Sequence, residues 1–190
     1  MIVEASRLVL NGGTVVYPTE TVYGIGASAF DEEAVKKVYR IKHRPRSMPL
    51  FVAISSFSML ERVARVEKSD LAFLRKLLPG PIAVLLDKTQ ELPGVVTAGS
   101  SRVGIRFPYH KMALELIERT GPIISSSANL SGSPPPASVA ELDLTIAKSV
   151  DMVLDGGRCE FAQPSTLIDL KGRKILREGA GMEILRGLMK

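Results

Sequence analysis

The 190-residue chain has no tryptophan, one cysteine and two histidines. A lone cysteine, Cys159, excludes an internal disulfide and any multi-cysteine metal site. His43 and His110 are too few and too far apart for a metal cluster, so no protein-held metal is expected. No Ser-His-Asp or Cys-His arrangement is suggested. Aromatic residues make up only 5% of the chain, which argues against an RNA reader that interleaves aromatic and basic groups. No apolar run approaches the roughly 18 residues needed to span a membrane. The opening MIVEASRLVLNGG lacks the basic head and long apolar segment of a signal peptide. It reads as a short amphipathic helix with Leu8 and Val9 inward and Gly12 and Gly13 as its stop. A cytoplasmic protein is expected. The two commonest nucleotide fingerprints, G-x-x-x-x-G-K-[ST] and a post-strand G-x-G-x-x-G, are also missing. Any nucleotide must be held by another arrangement.

What is present is ordinary for a globular chain: 45% hydrophobic and 24% charged residues. The formal net charge of +5 and pI near 9.4 suggest anionic partners such as nucleotides or RNA. No internal repeat, low-complexity tract or linker divides the sequence, so one domain over 1–190 is the simplest reading.

The stretch 13–53 organises the rest. Residues 13–17 read as a strand, because Val15, Val16 and Tyr17 suit a pleated, buried surface. Pro18 cannot donate to a ladder and should end it. Thr19, Glu20 and Thr21 then make a polar loop, which rejoins apolar chain through Val22 and Tyr23. Gly24 and Gly26 allow close backbone approach or positive φ. Asp31 is an N-cap for a helix that Pro45 should end near His43. Six of the eleven residues from 36 to 46 are Lys or Arg. Lys36, Lys37 and Arg40 read as a solvated helix face. Lys42, Arg44 and Arg46 alternate as the chain leaves the helix; if extended, they point to one side. Cations so placed fit a polyphosphate, which guanidinium matches bidentately.

Downstream, 50–54 reads as a buried strand. Ser58 and Glu61 suggest a capping box for a short helix. Residues 69–78 form a helix by their leucine spacing, and 82–86 a strand. Residues 89–100 are a loop. Residues 102–107 alternate into a strand with Val103 and Ile105 on one face and Arg102, Gly104 and Arg106 on the other. A helix over 110–119 precedes a strand that opens on Ile123 and Ile124 and runs into Ser125-Ser126-Ser127-Ala128-Asn129. Residues 132–136 are a Pro-rich loop. Ser138 and Glu141 suggest a second capping box, for a helix to about Ser149. Strands at 152–154, 166–170 and 174–176, the last two joined by a hairpin turn, precede a terminal helix over 182–189. Alternating and adjacent strands together imply an α/β fold with a mixed parallel and antiparallel sheet flanked by helices.

Ligands of open α/β sheets sit beyond the carboxyl ends of strands. Ser125, Ser127 and Asn129, two residues apart, would share a face there and meet phosphate or ribose oxygens. The competing reading is a turn, since the segment is turn-prone by composition. Arg106 on a polar strand face reads by itself as an edge or surface residue; Arg102 lies on the same face and is a weaker candidate for any role there.

Four motifs in order, YPTETVYGIG, KHRPRSMPL, SSSANLSG and STLID, resemble the YrdC family of threonylcarbamoyl-AMP synthases over about residues 12–179. The resemblance implies a twisted mixed YrdC/RibB-like sheet with a basic concave face that double-stranded RNA or tRNA could meet. It also implies condensation of L-threonine, bicarbonate and ATP, with magnesium carried by the ATP, to threonylcarbamoyl-AMP and pyrophosphate. The product feeds the threonylcarbamoyladenosine modification of tRNA through a downstream transfer complex. By position, Thr21, Ser125 and Ser165 match threonine contacts, Tyr23 would line the same pocket, and Arg106 would hold the carboxyl end. Ser127, Asn129 and Arg177 match nucleotide contacts. Lys42 and Arg44 are assigned to the triphosphate and to the charge that develops during adenylyl transfer. Some relatives append a second domain, which a chain of this length is not expected to carry. Longer relatives often have a polar residue at Met48 and a histidine at Ala53; here only a main-chain contact could survive at Met48. Two other readings compete. One is a carbamoyl-adenylate-handling enzyme like the hydrogenase maturation proteins, whose cysteine-rich zinc modules one cysteine cannot supply. The other is a non-catalytic RNA-binding module.

Overall fold

A computed structural model describes residues 1–188. Its strands are β1 (Val15–Tyr17), β2 (Gly24–Gly26), β3 (Phe51–Ala53), β4 (Ala64–Arg65), β5 (Ile82–Lys88), β6 (Arg102–Arg106), β7 (Ile123–Ser127), β8 (Met152–Val153), β9 (Thr166–Asp169) and β10 (Lys174–Arg177). They join in one sheet of order β10-β9-β5-β6-β3-β7-β2-β1-β8, with β4 added to β5. Three pairings are parallel, β1 with β8, β3 with β6 and β5 with β9. The rest are antiparallel, so the mixed α/β sheet expected from the sequence is present. The helices are α1 (Ile2–Leu10), α2 (Glu32–Ile41), α3 (Phe57–Val63), α4 (Lys68–Leu77), α5 (Lys111–Thr120), α6 (Leu144–Ser149) and α7 (Met182–Leu188). Met189, the expected end of the last helix, lies outside the described residues.

Register explains why a site exists at all. Alternate residues of a strand face opposite sides of a sheet. On one side, Val16, Ile25, Ile124, Val52, Ile105, Val84 and Ile168 belong to one continuous core, which also takes in residues of α2, α3 and α4. The other side is divided. Val15, Tyr17, Ala53 and Ile123 pack under Ala5 and Val9 of α1 and Ala113, Leu116 and Ile117 of α5. The rest of that side carries Phe51, Gly104, Arg106, Ser125 and Ser127, and all five except Gly104 line a hollow. The change from covered to open falls inside β7: Ile123 is core, and Ser125 and Ser127, on the same side, are half-buried.

Two glycine questions are settled by a neighbour's ring. A Cβ on Gly26 would lie 3.0 Å from the Tyr17 ring and one on Gly24 3.2 Å from it. Neither glycine has positive φ, so close approach is the reason for both. Gly104 is tighter still, with a Cβ there 2.5 Å from the Phe51 ring.

Several local expectations are corrected. Asp31 caps α2 as read, accepting from the N–H groups of Glu33 and Ala34. The cap of α3 is Ser56, not Ser58; its hydroxyl accepts from Met59 N–H. The Ser138 box does not start a helix. Ser138 makes no side-chain cap bond, a 3-10 turn spans Val139–Glu141, and Asp143 caps α6 separately. The Glu141 carboxylate instead takes the Ala137 N–H at 2.8 Å. The sequence does not announce β2 or β4: β2 is glycine at two of its three positions, and β4 is a two-residue strand directly after α3.

Gly104→Ala is expected to lower unfolding free energy by about 1–3 kcal/mol, the usual cost of forcing a group into a filled space. Urea unfolding of the variant beside the parent checks this; an unchanged midpoint would mean that Phe51 moves freely away.

Candidate functional site

The hollow sits over the open half of the sheet and has a cavity volume of about 220 Å³. Four stretches meet there. The loop 18–23 brings Thr19, Thr21 and Tyr23. The turn after α2 brings Arg44. The end of β7 and the chain beyond it bring Ser125, Ser127 and Asn129. The edge hairpin brings Ser165 and Arg177. Arg106 of β6 reaches in from the floor.

Arg106 is 4% exposed. Its Nη2 donates to Glu20 Oε1 at 2.5 Å, and Tyr109 N–H occupies Glu20 Oε2 at 3.1 Å. The other amino group, Nη1, is buried with no partner. An unmade bond to a buried charged group is costly, so Nη1 is a donor awaiting an acceptor. Arg177 donates through Nε and Nη2 to the Ser165 carbonyl, at 3.1 and 2.9 Å. Burial, and then the nearby Arg106, press its pKa below the ordinary arginine value. Arg44 is held by main-chain carbonyls, Nε to Met48 at 3.2 Å and Nη2 to Pro49 at 2.9 Å; burial lowers its pKa too. Three guanidinium groups thus face one hollow whose lining has no carboxylate. An anion there would relieve their mutual repulsion.

Asn129 spends its amide N–H groups on the Leu130 and Ser133 carbonyls, at 2.8 and 2.7 Å. Its Oδ1 is buried and unpartnered. It therefore offers an acceptor, which suits a ribose hydroxyl or base N–H and not a phosphate oxygen. Ser125 and Ser127 share the open side, as their spacing suggested; Asn129 lies past the strand end. The Tyr23 hydroxyl is not free. It lies 2.7 Å from the Gly157 carbonyl and 3.2 Å from Asp155, and accepts from Gly156 N–H at 3.0 Å. Tyr23 lines the hollow while tying down the 155–157 segment.

Lys42 departs from expectation. The chain does not leave α2 extended: Lys42 is helical and His43 has φ +49. That reversal separates the three cations. Arg44 lines the hollow and Arg46 is exposed. Lys42 is 1% exposed and lies outside the lining. Its Nζ donates to the Ser127 carbonyl and, at 2.7 Å, to that of Asn129. It thus braces the main chain that carries two of the site residues. Arg102 is also elsewhere, paired to Asp169 at 2.6 Å and Asp87 at 3.1 Å. Met48 is exposed, and its carbonyl is taken by Tyr39 and Arg44. Ala53 is core. Sequence reasoning gave no role to Glu20, Phe51 or Ser133. Glu20 had a signal, since a lone acid in a polar loop leading into a buried run needs a cation.

Burial, then the nearby Arg44, push the Lys42 ammonium from 10.5 down to about 7. Its neutral amine would still have two N–H donors for the two carbonyls. Between pH 7 and 10 the unfolded chain therefore binds more protons than the folded one, and this group makes stability rise with pH through that window. Lys42→Met should lose that rise. Parent and variant unfolding free energies running parallel from pH 7 to 9.5 would contradict it.

Comparison with known proteins identifies the chain's relatives. The Sua5/YciO/YrdC family model, described as "Telomere recombination", matches residues 7–179. The chain is 40% identical over 168 residues to the threonylcarbamoyl-AMP synthase of Pyrococcus abyssi, covering 87% of this chain and 49% of that one. It is 38% identical over 173 residues to a putative threonylcarbamoyl-AMP synthase of Methanocaldococcus jannaschii, covering 90% and 82%. The chain thus spans about half the length of the first relative and most of the second. The structure of P. abyssi Sua5 complexed with L-threonine superposes with a TM-score of 0.87 at 38% identity, over 94% of this chain and 54% of that one. With nearly its whole length matched in sequence and in backbone, the chain belongs to the Sua5/YciO/YrdC family.

Proposed function

We propose that the chain is an L-threonylcarbamoyladenylate synthase, joining L-threonine, bicarbonate or CO2, and ATP, with release of pyrophosphate. The observation that carries this reading is the buried, unpartnered Nη1 of Arg106, beside a recess lined by Thr21 and Ser125. A guanidinium clamped through one amino group, with its other amino group unspent, suits a substrate carboxylate. Relatives named for this activity, one of them solved with L-threonine, support it.

The chemistry needs positioning more than a nucleophile. The neutral amine of threonine attacks CO2: the N–C bond forms, one C=O π bond opens to the carbamate oxygen, and the nitrogen gives a proton to water. The resulting carbamate oxygen attacks the α-phosphorus of ATP. An O–P bond forms, the bond from that phosphorus to the bridging oxygen breaks, and pyrophosphate leaves. Arg44 and Arg177 neutralise the phosphates and the charge that develops in transfer. Asn129 Oδ1 takes a donor of the nucleoside. Lys42 works through the main chain that it braces. Magnesium enters as part of the nucleotide. The lining has no carboxylate to hold it, and no group of three or more His, Cys, Asp or Glu occurs among the described residues; the ion would be held through the nucleotide's phosphate oxygens and would offset their charge. The adenylate then serves the threonylcarbamoyladenosine modification of tRNA through a transfer complex. The basic surface would allow RNA contact, and a cytoplasmic location follows from that role. No described helix is long and apolar enough to cross a membrane.

Incubation with ATP, magnesium and bicarbonate should release pyrophosphate only when threonine is added. Arg106→Lys is expected to raise the threonine KM about 10- to 100-fold, the worth of one hydrogen bond to a charged group, with the ATP KM little changed. Arg44→Ala should lower turnover about 100-fold or more, as for a lost preorganised donor. Pyrophosphate release at one rate with and without threonine would sink the proposal.

A further inference from the structure

The hydroxyls of the 18–23 loop form a chain whose direction is fixed. Thr19 Oγ1 lies 2.6 Å from the Val22 carbonyl oxygen. A carbonyl only accepts, and two oxygens come this close only with a hydrogen between them. The single hydroxyl proton of Thr19 is therefore spent on Val22. Thr19 Oγ1 is also 2.8 Å from Thr21 Oγ1. With the first proton spent, Thr21 must be the donor of that bond. The backbone N–H groups of Thr21 and Val22 also approach Thr19 Oγ1, both at the longer distance of 3.2 Å, and share its second lone pair. The proton of Thr21 is thus committed as well. Thr21 is 4% exposed and lines the hollow. What it shows to a ligand is lone pairs alone.

We propose that Thr19 is a positioning residue that holds the Thr21 hydroxyl as an obligate acceptor, and that Thr21 thereby selects an amino acid whose side chain carries a hydroxyl proton. This rests on the activity proposed above. Arg106 Nη1 is a donor and takes the carboxylate. Two donors then remain on threonine, the amine and the β-hydroxyl. Every amino acid has the amine; only the hydroxyl separates threonine from isosteric valine. A methyl group against Thr21 would leave a buried acceptor unpaired, which is how a polar site rejects an isostere lacking the matching group. A hydroxyl free to rotate would lose part of that rejection, because it could turn its proton toward an acceptor instead.

The test measures binding of L-threonine, L-valine and O-methyl-L-threonine by calorimetry, with a non-hydrolysable ATP analogue present. O-methyl-L-threonine keeps the side-chain oxygen and lacks the proton. The parent protein should bind threonine well, and O-methyl-L-threonine no better than valine; equal binding of threonine and its methyl ether overturns the proposal without any variant. Thr19→Val should reduce the preference for threonine over valine about tenfold, the worth of one hydrogen bond. Thr19→Ser, which keeps the hydroxyl, should restore it. Affinity for the ATP analogue should stay at the parent value in both. A Thr19→Val protein that binds the analogue normally and keeps its preference within about twofold overturns the proposal. So does an equal weakening of threonine and valine, which would place the amine on Thr21. Absence of threonine binding by the parent protein removes the proposed activity and this inference together; the other outcomes overturn the inference alone.

Discussion

The site depends on one buried ion pair, Arg106 with Glu20, whose side chains are 5% and 2% exposed. Each comes from a different part of the chain. Arg106 ends a central strand, and Glu20 sits in the loop between β1 and β2. Two charges taken out of water cost several kcal/mol each and are tolerated only when paired and fully bonded. Here the pairing is complete on the acid and incomplete on the base. Both Glu20 oxygens are engaged, and the buried Nη1 of Arg106 is not. The pair fixes where the polar loop can lie. With the loop go Thr19, Thr21 and the Tyr23 ring, so one electrostatic constraint sets both a donor and an acceptor of the hollow.

The second constraint is the pleat of the sheet. Ile123, Ser125 and Ser127 follow one another on the same side of β7, under α5 at one end and open at the other. A one-residue slip of that strand would bring the serine face to the continuous core and Ile124 to the hollow. Phe51 lying against Gly104 and the antiparallel neighbours on both sides of β7 hold the register. Packing and ligand recognition are therefore read from alternate residues of the same five-residue segment.

The sequence made much of this visible. Strands of β-branched residues, the Asp31 cap and the alternation in β6 and β7 lay where periodicity placed them, because a buried face leaves a clear pattern. The hollow gathered Thr21, Tyr23, Arg44, Arg106, Ser125, Ser127, Asn129, Ser165 and Arg177, most of which the sequence could only match to a family motif. Lys42 was misread, and the reason is local. Extended geometry was assumed after α2, whereas His43 turns left-handed and sends Lys42 inward to main-chain carbonyls. No side-chain pattern encodes that turn. Glu20 was passed over because its partner lies 86 residues away, and pairing at that range leaves no periodic trace. The capping boxes failed at Ser58 and Ser138 because Ser56 and Asp143 are equally good caps close by, and spacing alone does not choose among them.

The hairpin of β9 and β10 lies at the edge of the sheet, yet Arg177 and Ser165 complete one wall of the hollow. Edge elements are among the first to open in native fluctuations. A nucleotide gripped by Arg177 would bind only molecules with the hairpin closed and would draw the population toward them by mass action. Amide exchange along Lys174–Arg177 would then slow as nucleotide is added, so that an edge strand of the fold gauges whether the site is filled.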